Sequence, residues 1–155
     1  MRVPILAILA CLGLSGAAAA QTCAGAPTAT RLDLIIDGVR ADEGELTATV
    51  YPPSSSKFLK PGGEIAVWRV PAKAPMTQMC GFLPSPGSYA VVVYDDLNAN
   101  HHFDHSAIAP LEPYGFSNNP RLILGPPSVA SARFAVPAGG RVIHIRLRYP
   151  AAATH

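Results

Sequence analysis

From Arg31 onward the chain is a series of short runs in which apolar and polar residues alternate. Leu32, Leu34 and Ile36 alternate with Asp33, Ile35 and Asp37 before Gly38 interrupts the run. Leu46, Ala48 and Val50 alternate with Thr47, Thr49 and Tyr51. Near the end, Ile143, Ile145 and Leu147 face one way while His144, Arg146 and Arg148 face the other. A period of two is the signature of a half-buried strand. Ile65 to Val70 (with the single tryptophan, Trp68), Met76 to Leu83, Arg121 to Leu124 and Ala132 to Val136 read as further strands. Ser88 to Tyr94 is different, because Tyr89 to Val93 are apolar in succession. Such a run, bounded by turn residues, predicts a strand covered on both faces. Asp42-Glu43-Gly44 reads as a hairpin turn and Pro84-Ser85-Pro86-Gly87 as a tight turn. No stretch beyond the first 20 residues has a 3.6-residue apolar period, and 16 prolines and 13 glycines punctuate the runs. The prediction is an all-β fold: a single β-sandwich of about seven or eight mostly antiparallel strands. It would span 32–149, after an N-terminal extension (21–31) and before a disordered tail (150–155).

The opening residues change the picture of where the protein works. Arg2 is followed by an apolar stretch, Val3 to Leu14, and by the small residues Ser15 to Ala20. Ala18 and Ala20 give an A-x-A cleavage pattern, so residues 1–20 predict a signal peptide and a periplasmic or secreted protein. No membrane span is expected after cleavage. With Arg2 removed the net charge is about +1, too balanced for general nucleic-acid or membrane-surface binding. Cys23 and Cys80 remain, and in an oxidising compartment they are expected to pair. In the loop-entropy description a closure of this size is worth roughly 4 kcal/mol, less any strain. Neither cysteine has a C-x-x-C partner, which argues against redox catalysis and structural zinc.

The candidate chemistry follows the central strand. Asp96, Asn98 and Asn100 have the alternate spacing of oxygen ligands in calcium loops, with the His102 carbonyl at the seventh place and Asp104 at the ninth. Ala107 occupies the twelfth place, where a bidentate carboxylate is usual, so Glu112 is the candidate substitute. His101 stands at the sixth place, where glycine is usual, and a left-handed backbone there costs about 1–2 kcal/mol. Calcium is the cofactor the sequence suggests first. An Asx-rich turn, in which the same side chains cap their own backbone without an ion, stays open as the alternative. His101, His102 and His105 with Asp104 form a weaker candidate for Zn²⁺ or Cu²⁺. Tyr114, Phe116, Asn118 and Asn119 read either as a sugar- or peptide-binding group or as structural residues, the aromatic rings covering the sandwich end and the asparagines capping the acidic loop.

Gly87-Ser-Tyr-Ala-Val-Val-Val-Tyr-Asp-Asp-Leu-Asn-Ala-Asn100, then Tyr114-Gly-Phe-Ser-Asn-Asn119, then Gly125-Pro-Pro-Ser-Val-Ala-Ser-Ala-Arg-Phe134 resemble a bacterial family, domain of unknown function 2141. The resemblance runs from about Leu32 to Tyr149 and implies an exported β-sandwich, immunoglobulin-like or transthyretin-like. It implies no activity. Asp95 stands where the family usually has histidine, Ala99 and His101 where it has glycines, and Pro113 where it has the glycine before the tyrosine. No nucleophile elbow, phosphate loop or dinucleotide motif occurs, and the adjacent Asp95 and Asp96 point to opposite faces of a strand. The expectation is a non-catalytic envelope accessory or ligand-binding module, whose partner is a small ligand, a glycan or an envelope protein. The alternative is a metal-dependent or carbohydrate-active enzyme with its site in the 95–119 loop.

Overall fold

A computed structural model describes residues 22–150. The expected signal peptide and the tail after Pro150 lie outside these residues. Eight strands form two packed sheets. In the smaller sheet β1 (Arg31–Asp37) lies between β4 (Met76–Phe82) and β8 (Arg141–Arg146). In the larger, β2 (Glu45–Tyr51) and β5 (Gly87–Asp96) are central, flanked by β3 (Ala66–Pro71) and β6 (Tyr114–Phe116). β7 (Phe134–Val136) pairs with the first residues of β5, after a single-turn helix, α1 (Val129–Ala132). All pairings between these strands are antiparallel except β1 with β8, and an isolated parallel bridge joins Ala24 to Gly81.

The alternation dictates the layering. Leu32, Leu34 and Ile36 of β1 meet Leu46, Ala48 and Val50 of β2 and Val91 and Val93 of β5 between the sheets, all fully buried. Each such large aliphatic side chain contributes about 1.5–3 kcal/mol on burial. Trp68 joins this core at 4% exposure, and Gly81 lies where any Cβ would run into its indole. β5 is covered on its other face as well, where Ala90 packs with Phe58 and Phe116. The Cys23–Cys80 disulfide ties the N-terminal segment to β4, beside hydrogen bonds from Ala24 N to Cys80 O and from Phe82 N to Ala24 O.

Four local expectations need correction. Asp42-Glu43-Gly44 is not a hairpin turn, because it carries the chain from β1 in one sheet to β2 in the other. Alternation identifies strands but not their partners. Gly44 is still required there, with φ of 68° and the Asp96 carbonyl where a Cβ would stand. Arg121 to Leu124 is not a strand, and Ile123 and Leu124 are 83% and 94% exposed. The strand expected from Ala132 starts instead at Phe134, as β7, because Ala132 is the last residue of α1, which Ser128 caps. The unexpected strand is β6, Tyr114–Phe116. It receives Arg148, whose N–H and C=O pair with Tyr114, so the end of the chain spans both sheets.

Candidate functional site

Side chains alternate across β5, so Val92, Tyr94 and Asp96 turn away from the inter-sheet core toward the outer face. Thr49 and Tyr51 of β2 and Tyr114 and Phe116 of β6 border that face. Phe103, from the long β5–β6 connection, folds back over it. Its ring meets Tyr94 edge-on at 5.4 Å and Tyr114 at 6.0 Å. The series continues from Tyr114 to Phe116 at 5.8 Å, Phe116 to Phe58 at 6.5 Å and Phe58 to Tyr51 at 5.4 Å. The result is an aromatic floor under a cleft of about 860 Å³. One wall is residues 105–110 of the β5–β6 connection; the other is Leu122, Ile123, Gly125 and Pro126. Ile108 and Ile123 line this cleft at 96% and 83% exposure, so its rim is apolar as well as its floor.

The connection that carries Phe103 is braced by two buried carboxylates. Asp96, fully buried, accepts the backbone N–H of Asn100 at 3.0 Å and of His101 at 2.7 Å. Glu112, 3% exposed, accepts from Leu97 N at 3.2 Å and Asp104 N at 3.0 Å. Asn98 Oδ1 also accepts from Asn100 N, and Asn100 Oδ1 accepts from His102 N at 2.8 Å. The Asn98 and Asn100 amides then donate to Asp104. This local geometry places Ala99 and His101 at φ of 52° and 65°, in the left-handed region. Burial pushes the Glu112 carboxyl above its ordinary range, the Asp104 N–H opposes this, and the Asp96 and Asp104 charges add to it.

The structure thus gathers Asp96, Asn98, Asn100, Asp104 and Glu112 around one loop. It does so through bonds that an Asx-rich turn makes unaided. Among the described residues no Lys or Arg pairs with Asp96, Asp104 or Glu112, and no three His, Cys, Asp or Glu side chains form a metal-binding group. The imidazoles go separate ways. His101 Nε2 lies 3.0 Å from Glu45, and His105 sits beside Phe103.

Asp95 is an acid that the sequence reading set opposite Asp96 but gave no role. It faces the opposite side from Asp96, into the core, at 1% exposure, and its Oδ1 has no hydrogen-bond partner. Burial raises its pKa to about 7, aided by the charges of Glu112 and Asp96. The only signal was its place in the family pattern, where histidine is usual.

The Tyr114–Asn119 segment divides its residues between two tasks. Tyr114 and Phe116 line the cleft. Ser117 Oγ accepts from Val91 N and donates to Ala132 O at 2.6 Å. Asn118 donates to Arg133 O at 2.7 Å and to Ser131 O at 3.3 Å, at the end of α1. Asn119 accepts from Arg146 N at 2.8 Å and donates to His144 O at 3.1 Å. It therefore closes a stretch of the β8 edge as a neighbouring strand would. The asparagines hold α1 and β8, rather than capping the acidic loop as one reading of the sequence had them.

Residues 34–144 match the model of a family described as an uncharacterized protein conserved in bacteria. No curated protein and no solved structure matches the chain.

Proposed function

The chain belongs to the DUF2141 family of bacterial proteins, and from that premise we propose that it is an exported, non-catalytic β-sandwich that binds a ligand in its aromatic cleft. The observation that carries this is the cleft itself. Its volume of about 860 Å³ falls within the roughly 300–1,000 Å³ usual for small-ligand sites. Its floor joins aromatic rings to a few polar groups from Thr49, Tyr51 and Tyr94, and unlike a core it stands open between two connections. Rings of this kind offer stacking surfaces to a sugar or to an apolar side chain of a peptide. The Cys23–Cys80 disulfide supports an oxidising compartment. Among the described residues no helix is long and apolar enough to cross a membrane.

A non-catalytic role is supported by the position of Asp95, whose pKa is raised to about 7. Asp95 is turned into the core and does not line this cleft, so it has no path to a substrate there. The β5–β6 loop is the framework of the cleft wall. Ca²⁺ held by Asp96, Asn98, Asn100, Asp104 and Glu112 with the His102 carbonyl would supply the positive charge that the loop lacks.

The test is a thermal-shift screen against chitin and glucan oligomers and hydrophobic tripeptides, run beside a turnover screen with and without chelator. The expected result is a saturable stabilisation by one ligand class, without turnover. Reproducible turnover that is lost in Asp96→Ala would instead establish the enzyme reading.

A further inference from the structure

A second cleft, separate from the aromatic one, lies against β8 and has the opposite chemistry. Its volume is about 510 Å³, and it is lined by Asp37, Asn119, His144, Arg146 and Arg148. We propose that this cleft binds an oxyanion, a carboxylate, sulfate or phosphate group, held by the guanidinium groups of Arg146 and Arg148.

The strand period places these groups. His144, Arg146 and Arg148 alternate with the core residues Ile145 and Leu147, so all three project from one side of the chain. Asp37 is the register partner of Arg146 across the parallel β1–β8 pairing, yet its carboxylate lies 3.2 Å from His144 Nδ1 instead. Among the described residues no carboxylate pairs with Arg146. Arg148 is fixed differently. Its Nη2 donates to the carbonyl oxygens of Pro120 at 2.7 Å and Asn119 at 3.3 Å, which sets the guanidinium against the wall of the cleft. Its Nη1 is buried and has no acceptor.

These contacts leave the cleft with the exposed, unpaired guanidinium of Arg146 and an excess of positive charge. A guanidinium presents paired N–H groups that match two oxygens of a carboxylate or phosphate. The Asn119 side-chain amide does not compete, since its oxygen and nitrogen are both taken by the β8 backbone. A cleft of this volume exceeds a bare anion, so the group can be carried on a larger body such as a sugar.

The experiment is an amide chemical-shift titration at constant ionic strength in chloride. The probes are inorganic phosphate, sulfate, acetate, a sugar phosphate, and vesicles containing phosphatidylglycerol. The expected result is saturable shifts confined to Asn119, His144, Arg146 and Arg148 with at least one probe. Arg146→Ala should weaken that probe about tenfold or more, and Arg146→Lys less. Arg133→Ala, an exposed cation elsewhere, should change nothing. The source follows from which arm saturates: a free anion, a sugar-borne one or a lipid headgroup. Arg146 is exposed, so its replacement is not expected to disturb folding, and the spectrum of the variant checks this directly. Equal binding by wild type and Arg146→Ala, equal loss in Arg133→Ala, or no saturable shift with any probe would each overturn the proposal.

Discussion

Asp95 is held where a carboxylate is least welcome, and this makes stability depend on pH. Its pKa rises to about 7 in the fold through burial, against an ordinary value of 3.8. Across that window the native state holds more protons than the unfolded state, so stability should fall as pH rises from about 4 to about 7 and level off above. Asp95→Asn should remove most of this slope and stabilise the protein at pH 8 by roughly 1–3 kcal/mol. Glu112, raised in the same sense, would leave a residue of the slope. Urea midpoints at pH 5 and pH 8 measure it, and identical pH dependence in the variant would contradict this account. Ala99 offers a second single-residue test. Its φ of 52° strains any side chain, while glycine adopts it freely. Ala99→Gly should add about 0.5–1 kcal/mol, the relieved strain less the added freedom of the unfolded chain. A lower melting temperature for that variant would mean that Ala99 makes a contact outweighing its strain.

At the scale of elements, the strands were legible wherever alternation was long. β1, β2, β5 and β8 follow directly from Leu32-Leu34-Ile36, Leu46-Ala48-Val50, the Tyr89–Val93 run and Ile143-Ile145-Leu147. β6 was not legible, since three residues are too few to show a period and Tyr114-Gly115-Phe116 looks like any aromatic segment. Leu122-Ile123-Leu124 erred the other way, because an apolar run reads as strand whether it is buried or forms the wall of a cleft. The ligand-like residues of the β5–β6 loop and their capping of the local backbone could be read from spacing, whereas the buried brace that Glu112 gives Leu97 and Asp104 could not. Two outcomes are open to measurement there. A Ca²⁺ loop predicts that the melting temperature rises with millimolar calcium, by up to about 2.7 kcal/mol of stabilisation at one hundred times Kd, and that Asp96→Ala abolishes the response. An Asx turn predicts no response, and a loss in Asp96→Ala that is the same with and without calcium. Asn119→Ala should cost roughly 0.5–1.5 kcal/mol whatever the calcium level, because it removes the exposed hydrogen bonds to Arg146 N and His144 O.

For the whole molecule, the two-sheet sandwich acts as a frame that turns one face of the larger sheet into a floor and sets two irregular connections over it. The sequence showed the frame because burial has a period. It did not show the cleft, because Tyr51, Phe103 and Ile123 come from separate parts of the chain and meet only through the register of β2, β5 and β6. The claim that this cleft binds a ligand is tested most directly by amide shift mapping with the oligomer or tripeptide that stabilises the protein best. Wild type should show saturable shifts centred on Thr49, Val92, Phe103 and Tyr114. A variant carrying Ile108→Ser and Ile123→Ser, both at exposed positions and therefore fold-neutral, should bind at least about tenfold more weakly. Shifts that avoid these residues, or undiminished binding by the double variant, would contradict it.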